Sequence, residues 1–416
     1  MPEHIYQYTS PQHNGSRVVG VSSLSSSSPK YAGLLVVTDR YPSAGHISSI
    51  FVKEQVDELR KYFATVYVIA LVPWVPRALE VARSIPYVKR RIQSRWISDI
   101  YARDYSYGNV RVKFLRALKL PFGVLRKRYL EKQFENAIRF LRRNRVAFDI
   151  IHAHFTLPSG YVGLRIREVF DVPVILTIHE EEDSFRREMR DPLAQMVWRG
   201  VDAIIRVSRR DIDVLRRYNR NVYYIPNGFS RRRIRILERS EARKCLGIPE
   251  GRKVIFSLGY ISERKGFQYL VEAMRLVLKK RKDILCFIGG RGPLEGEIRR
   301  MIKRLGLEDS VRLLGFIPEE KLCYWYSAAD VFVLPSLSEG NPTVMFEALG
   351  AGLPVIVTDV GGAPDVIVSE DYGFLVRRHD PEDLAEKILV AISRSWDREK
   401  ICLLYTSDAA DDGESV

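Results

Sequence analysis

The chain has 416 residues, which is enough for two or three domains that each bury their own core. Its four cysteines form no CxxC pair, and no apolar run approaches the roughly 20 residues of a membrane span, so the composition argues against a disulfide framework, a zinc site and a transmembrane protein. The formal net charge of +15 favours contact with anionic partners.

Residues 1–30 are predicted to form a disordered tail. They are polar, contain the run Ser25 to Ser28, and include no apolar segment of the kind that a signal peptide or an anchor needs. Together with the scattered cysteines, this pattern indicates a protein of the reducing cytoplasm.

Residues 31–235 are predicted to form a first domain in which apolar strands alternate with helices. Gly45 follows the first strand, so its backbone is a candidate phosphate contact, with an ordinary flexible loop as the alternative. His179 closes the fourth strand, where an imidazole either binds a sugar hydroxyl or has a structural role. The predicted strands are Leu34–Thr38, Val66–Ala70, Ile150–Ala153, Val174–Ile178, Ala203–Val207 and Val222–Ile225.

Basic residues are concentrated between Arg83 and Arg145, where 18 lysines and arginines accompany four acidic residues. A helix in this segment is predicted to be basic on one side and apolar on the other. Three interpretations stay open: a solvated face, docking to an anionic membrane surface, and nucleic-acid binding, which lacks a known motif here. The basic residues are Arg126, Lys127, Arg128, Arg139, Arg142, Arg143 and Arg145, and the apolar ones are Leu125, Phe134, Ile138 and Leu141.

Residues 236–400 are predicted to form a second domain of the same kind. Its strands are predicted at Val254–Leu258, Ile284–Ile288, Val311–Leu314, Val331–Leu334 and Val355–Thr358, with helices near 266–280, 294–305, 320–328 and 343–350. Continuous apolar strands with helical crossovers are typical of parallel sheets that are covered on both faces. The predicted fold class is therefore α/β, with two Rossmann-like doubly wound domains facing a cleft.

The most informative segment follows the fourth strand of this second domain and carries two glutamates eight positions apart, Glu339 and Glu347. Asn341 is predicted as the N-cap of the following helix and Pro342 as its first residue. Free backbone N–H groups at the positive end of this helix suit a pyrophosphate, with Glu339 near sugar hydroxyls and Glu347 near a ribose. The alternative is an acidic loop that caps a helix, with Glu347 simply in solvent.

Two further loops of the second domain carry residues that are candidate contacts for a nucleotide. Lys265, between the first strand and its helix, is either a point charge on a diphosphate leaving group or a helix-start lysine in water. Phe316 and Ile317 end another strand and offer an apolar surface for a nucleobase.

Taken together, these motifs resemble those of the retaining glycosyltransferases of family 4, which have the GT-B fold. The resemblance runs from about Leu34 to Ile392. It implies that the second domain binds a nucleotide-sugar donor and the first domain an acceptor. The most specific segments are Glu339–Glu347, Gly259–Gly266, Ile225–Gly228, His152–Phe155 and Pro158–Gly160. By resemblance, the catalytic residues are Glu339 on the donor sugar, Lys265 on the pyrophosphate and His179 on the sugar from the acceptor side, and the donor-binding residues are Glu347 on the ribose, Gly340, Asn341, Pro342, Thr343, Gly259, Tyr260, Phe316, Ile317 and Gly45.

Three features depart from the family pattern. Tyr260 stands where many relatives carry an arginine that pairs with the lysine on the diphosphate, and the loop at Gly45 lacks the double glycine of some relatives. From Cys402 onward the residues show no helical periodicity, whereas family members usually run a final helix back onto the first domain. Residues 401–416 are therefore predicted to be a non-native tail.

The predicted activity is transfer of a hexosyl unit from a nucleoside-diphosphate sugar to an acceptor, with retention of the anomeric configuration. A sugar, a lipid-linked and a polysaccharide acceptor all stay open. A front-face substitution is expected, because no pair of carboxylates is placed as nucleophile and acid. The alternative is a GT-B phosphorylase or a nucleotide-sugar epimerase, and a non-enzymatic basic membrane or nucleic-acid binding protein is less favoured. No metal or other cofactor is expected, since Asp149, His152 and His154 lack a further ligand at a suitable spacing. The predicted location is the cytoplasm, with peripheral contact at the inner face of the cell membrane.

Overall fold

The computed structural model describes residues 31–43, 50–74, 102–119, 126–230 and 233–403. Within these ranges the chain alternates strands with helices and falls into two compact units. The first unit ends at Pro226 and the second begins at Asn227.

The first unit contains one mixed sheet in its described ranges. Its strands are β1 (Tyr31–Thr38), β2 (Phe63–Trp74), β3 (Tyr105–Tyr107), β4 (Val110–Leu118), β5 (Ile150–His154), β6 (Val174–Ile178), β7 (Ala203–Arg206) and β8 (Val222–Tyr224). Its helices are α1 (Ile50–Leu59), α2 (Arg126–Arg143), α3 (Tyr161–Phe170), α4 (Glu182–Glu188), α5 (Pro192–Gly200) and α6 (Ile212–Arg216). The strand order is β3-β4-β2-β1-β5-β6-β7-β8, and every neighbouring pair is parallel except β3 with β4.

The second unit contains a fully parallel sheet. Its strands are β9 (Lys253–Leu258), β10 (Ile284–Gly289), β11 (Val311–Gly315), β12 (Val331–Leu334), β13 (Val355–Thr358) and β14 (Gly373–Val376). Its helices are α7 (Arg239–Leu246), α8 (Phe267–Lys280), α9 (Glu295–Arg304), α10 (Glu319–Ala328), α11 (Thr343–Gly350), α12 (Ala363–Val366), α13 (Pro381–Ser393) and α14 (Arg398–Leu403). The strand order is β11-β10-β9-β12-β13-β14.

Both faces of the second sheet are covered by helices, which is why its strands are apolar throughout. Successive side chains of a strand point to opposite faces. Phe256 of β9 packs in one cluster with Phe346 of α11, while its neighbour Ile255 packs in another with Met274 of α8.

Each sheet contains one point at which the strand order reverses direction. In the first sheet this point lies between β1 and β5, and in the second it lies between β9 and β12. In open α/β sheets the ligand crevice forms beyond the carboxyl ends of the strands at such a point. The topology therefore selects the loops after β1 and β5, and after β9 and β12, as candidate site loops.

Three strands are absent from the sequence-based prediction: β3, β4 and β14. β4 alternates buried apolar side chains with exposed basic ones such as Arg111 and Arg116. The basic residues that suggest a basic face therefore also obscure the sequence pattern of this half-buried strand. The sequence predicts a parallel sheet, but its edge strand β3 is antiparallel to β4.

The division between the units lies nearer the amino terminus than the predicted boundary at residue 235. Asn227 already belongs to the second unit, because its backbone N–H and its side chain both donate to Asn341. Ile234 is buried in the core of that unit.

The last described helix, α14, includes the first three residues of the predicted non-native tail 401–416, and the rest of that tail lies outside the described residues. Ile401 lies on α14 and is fully buried in the core of the second unit, although Leu403 on the same helix is exposed. In the ranges that the structure describes, no helix is both long enough and apolar enough to cross a membrane.

Candidate active site

The loops that follow β9 and β12 approach each other closely in the second unit. The backbone N–H of Leu337 donates to the carbonyl of Arg264 at 2.7 Å. Gly266 has a φ of +65°, and a Cβ at this residue would lie 1.9 Å from the carbonyl oxygen of Pro335. Both the positive φ and the lack of space require glycine here. This close approach brings the side chains of the two loops together.

Glu339 is the centre of an ion cluster between these loops. Its Oε1 accepts from Nζ of Lys265 at 2.5 Å and from the hydroxyl of Ser336 at 2.6 Å. Its Oε2 accepts from Nη1 of Arg264 at 2.9 Å, and the same Nη1 donates to the carbonyl of Ser338. The alternative of a helix-start lysine in water is therefore wrong for Lys265.

The cluster carries a net positive charge, with Glu339 and Lys265 largely buried and the side chain of Arg264 40% exposed. Burial by itself raises the pKa of Glu339, but the charges of Lys265 and Arg264 outweigh it and lower this pKa to about 2. Burial also lowers the pKa of Lys265, which Glu339 partly offsets. Two cations against one carboxylate leave one positive charge, which suits an anionic ligand.

The start of α11 differs from the prediction by one residue. Pro342, not Asn341, occupies the N-cap position, and no side chain caps the helix. Asn341 is unsuited to capping because its Oδ1 accepts from the backbone N–H of Asn227 at 3.2 Å and its carbonyl accepts from the Asn227 side chain at 2.9 Å. The first turn of α11, beginning at Thr343, is thus left without a side-chain acceptor and offers its backbone N–H groups to an anion.

Glu347 lies inside the second unit rather than in solvent, so the solvated alternative for this residue is wrong. Its side chain accepts from the guanidinium of Arg233 at Oε1 and from the hydroxyl of Tyr326 at Oε2, the latter at 2.7 Å. Tyr326 is itself fully buried, and burial raises the pKa of its hydroxyl. The carboxylate is therefore held in one orientation by two donors.

The remaining predicted donor residues fall into two groups. The backbones of Gly259 and Gly340 belong to the site loops: Gly259 N–H donates to Gly289, and the carbonyl of Gly340 accepts from Gly362 at 2.7 Å. Tyr260 and Phe316 are each about half exposed, whereas Ile317 is buried in the core, so its side chain does not form the predicted apolar surface. The prediction for Gly45 lies outside the described residues.

In the first unit, three histidines lie at the ends of β5 and β6. Nδ1 of His154 and Nε2 of His179 are 3.1 Å apart, and Nε2 of His152 is 2.8 Å from the hydroxyl of Thr177. The rings of Phe51 and Phe155 lie 4.8 Å and 5.1 Å from that of His179. Sequence reasoning identified His179 but did not connect it with His154.

Arg40 follows β1 at the reversal point of the first sheet. Its guanidinium lies over the ring of Phe155, 4.3 Å from the centroid, and forms no ion pair with any residue in the described ranges. Nearby Glu180 is buried and accepts from the backbone N–H of Thr156 at 2.7 Å. Burial raises the pKa of Glu180, while Arg206 and Arg40 act in the opposite direction. Arg40 thus lies at a candidate ligand crevice, stacked on Phe155 and close enough to the buried carboxyl of Glu180 to act on its pKa.

Neither unit shows a metal centre in the part of the chain that the structure describes, where no three histidine, cysteine, aspartate or glutamate side chains are grouped to hold an ion. Asp149, which the sequence places near His152 and His154, instead accepts from the backbone N–H of Gly33 at 3.0 Å.

The two α/β units have the GT-B fold, and comparison with solved structures agrees. Sucrose-phosphate synthase from Thermosynechococcus elongatus superposes with a TM-score of 0.71 at 22% identity, covering 91% of this chain and 96% of that one. The family model described as Glycosyltransferase Family 4 matches residues 48–233, and the one described as Glycosyl transferases group 1 matches residues 238–401.

Curated relatives support the same assignment. D-inositol 3-phosphate glycosyltransferase of Corynebacterium glutamicum is 30% identical over 70% of this chain and 77% of its own length. Alpha-monoglucosyldiacylglycerol synthase of Streptococcus pneumoniae is 28% identical over 73% of each chain. The chain belongs to glycosyltransferase family 4. It is therefore a retaining hexosyltransferase that uses a nucleotide-sugar donor.

Proposed function

We propose that the donor site lies at the carboxyl ends of β9 and β12 and that Arg264, Lys265 and Glu339 form its centre. The observation that carries this proposal is the ion cluster around the buried Glu339, which has a net positive charge at the reversal point of the sheet. A diphosphate is the part of the donor that such a charge complements.

The hydrogen-bonding capacity left in the cluster matches a nucleotide sugar. The ammonium of Lys265 has three N–H donors, of which Glu339 takes one, so two remain for phosphate oxygens. The two oxygens of Glu339 accept three hydrogen bonds from protein groups, which leaves capacity for about one sugar hydroxyl. Each oxygen of Glu347 similarly keeps a lone pair for a ribose hydroxyl beside its contacts with Arg233 and Tyr326.

The reaction that fits is a front-face substitution at the anomeric carbon. The bond from this carbon to the diphosphate oxygen breaks while the acceptor oxygen bonds to the same face, and the acceptor proton passes to the departing phosphate. Lys265, Arg264 and the first turn of α11 stabilise the negative charge that develops on the diphosphate, a preorganised effect worth a few kcal/mol, on the order of 3, per donor. No metal is required in this proposal, because these groups provide the positive charge.

The acceptor is proposed to carry an anionic group that Arg40 binds. The guanidinium of Arg40 is stacked on Phe155 and forms no ion pair within the described ranges, so its planar set of donors can bind a phosphate or carboxylate. The name of the relative D-inositol 3-phosphate glycosyltransferase contains a phosphorylated compound, and that of alpha-monoglucosyldiacylglycerol synthase contains a lipid. A lipid-linked phosphate would combine both features.

A lipid-linked acceptor would bring the enzyme to a membrane surface, and α2 is the proposed contact. Its apolar side packs into the core of the first unit through Leu130, Ala137 and Leu141, so it is not available for insertion into a bilayer. Seven basic residues remain on the helix against two acidic ones. We therefore propose electrostatic, peripheral contact with anionic headgroups at the cytoplasmic face.

A thermal-shift panel with UDP-, GDP- and ADP-glucose tests the donor site. A ligand present at about 100 times its dissociation constant stabilises the folded state by about 2.7 kcal/mol. Selective stabilisation by one nucleotide supports the proposal and identifies the base. If the panel is repeated with inorganic phosphate at the same concentration and gives the same shift, the site binds anions without recognising a nucleotide sugar, and the proposal fails.

A further inference from the structure

The hydrogen bond between His154 and His179 couples the protonation of two buried imidazoles. His154 is fully buried and His179 is 8% exposed. Burial lowers the pKa of both well below the ordinary value. Repulsion from neighbouring groups lowers it further: His152 and His179 act on His154, and His152, Arg206 and Arg40 act on His179. Each ring is therefore neutral near pH 7 and carries one proton.

A bond between two neutral imidazoles requires that only one of the facing nitrogens carries a proton. If Nδ1–H of His154 donates to Nε2 of His179, then Nε2 of His154 is a bare acceptor and His179 carries its proton on Nδ1. If Nε2–H of His179 is instead the donor, the two outer nitrogens exchange these roles. The tautomer of one ring therefore fixes the tautomer of the other, and with it whether the outer nitrogen of that ring is a donor or an acceptor.

Burial distinguishes the two arrangements. Within the described residues, neither Nε2 of His154 nor Nδ1 of His179 has a hydrogen-bond partner. A buried N–H without an acceptor is rarer in proteins than a buried acceptor without a donor. Both outer nitrogens are themselves buried, so in either arrangement the outer N–H needs an acceptor that a ligand brings. His179 follows β6 and keeps 8% exposure, whereas His154 keeps none, so His179 is the ring nearer to a ligand and the outer N–H is assigned to it.

We propose that His154 is a positioning residue that holds His179 in the Nδ1–H tautomer, so that His179 presents a hydrogen-bond donor to an oxygen of a sugar substrate. The sugar as ligand rests on the proposed function, whereas the tautomer does not. His154 itself does not contact the substrate in this proposal; it acts through its 3.1 Å hydrogen bond with His179.

The test is nitrogen NMR of the full chain labelled with ¹⁵N-histidine and recorded without substrate near pH 7. Long-range proton–nitrogen correlations show which ring nitrogen carries the proton, and the signals of His179 are assigned by their loss in His179→Gln. The expected result for the wild-type chain is a neutral His179 protonated at Nδ1. A neutral His179 protonated at Nε2 would overturn the proposal.

Two substitutions of His154 provide a matched pair. In His154→Asn the amide N–H can still donate to Nε2 of His179, so the Nδ1–H tautomer is expected to persist. In His154→Leu the donor is lost, and His179 is expected to change tautomer while kcat falls about tenfold, equivalent to one hydrogen bond. Equal spectra and equal kcat for the two variants would contradict a positioning role. Because the spectra need no donor, they remain informative even if the proposed donor site is wrong.

Discussion

Nζ of Lys265 lies 2.5 Å from Oε1 of Glu339, and both side chains are largely removed from solvent. These residues are 74 positions apart, on loops that follow different strands. A buried ion pair is costly to break, because removal of one partner leaves the other charge without compensation. The pair therefore links the stability of the second unit to the integrity of its proposed donor site.

Replacement of Glu339 by glutamine tests this link. We expect Glu339→Gln to abolish most transfer activity and to lower the free energy of unfolding at pH 7 by about 3 kcal/mol, since Lys265 is left buried without its partner. The pKa of Glu339 in the folded protein is about 2, below its ordinary value of 4.5. Its contribution to stability is thus present above pH 4.5 and is lost as the pH falls toward 2.

The measurement is denaturant unfolding of the wild type and Glu339→Gln at several pH values, with the exposed Glu308→Gln as the control. The difference between wild type and Glu339→Gln should narrow as the pH falls, while Glu308→Gln should follow the wild type throughout. A difference that stays constant with pH would show that Glu339 is not ionised in this cluster.

Arg264 is expected to supply the second cation on the diphosphate, a role that the family pattern assigns to the position now occupied by Tyr260. We predict that Arg264→Gln raises KM for the donor about tenfold, the loss of one charge-assisted contact. Tyr260→Arg in the Arg264→Gln background should recover part of this loss. Steady-state kinetics with varied donor check both, and an unchanged KM in Arg264→Gln would remove this residue from the site.

Arg40→Gln is expected to affect the acceptor and not the donor. We predict a KM for an anionic acceptor at least about tenfold higher, because a charged hydrogen bond is lost, with an unchanged KM for the donor. Arg209→Gln is the matched control, since that guanidinium lies over Tyr224 in the same unit, 4.7 Å from the ring centroid. If both variants change the acceptor KM equally, the effect is general electrostatics and not recognition by Arg40.

If α2 contacts membranes, binding to anionic vesicles should depend on the positive charge of this helix. Arg142→Glu with Arg143→Glu should weaken sedimentation with vesicles that contain phosphatidylglycerol by at least about tenfold, given roughly 1 kcal/mol for each basic residue near an anionic surface. Lys279→Glu with Lys280→Glu, on the exposed end of α8, makes the same change of charge in the other unit. Equal weakening by both pairs would assign the binding to net charge alone.

Much of the fold could be predicted from the sequence because the central strands are continuous apolar runs with helices between them. β4 could not, since basic residues such as Arg111 alternate with its buried side chains and conceal the strand period. The sequence also does not reveal which residues pair across long distances in the chain. Asn341 has a favourable sequence for an N-cap, but its actual partner is Asn227, 114 residues away.

The candidate site likewise contains residues that the sequence predicts and residues that it does not. Glu339, Lys265 and Glu347 carry a recognisable spacing and could be identified from sequence. Arg233, which binds Glu347, follows a turn and has no signal that distinguishes it from its arginine neighbours. Its role depends on the tertiary packing that also buries Tyr326, and only the structure provides that.

Titration calorimetry tests whether Lys265 lies in the donor site. The nucleotide that gives the largest thermal shift would be titrated into the wild type, into Lys265→Met, and into Lys279→Met, whose lysine is exposed on α8. We expect Lys265→Met to bind the nucleoside diphosphate at least about tenfold more weakly than wild type, since one charge-assisted contact with phosphate is lost, and we expect Lys279→Met to match the wild type. Equal dissociation constants for Lys265→Met and the wild type would place the diphosphate away from Lys265.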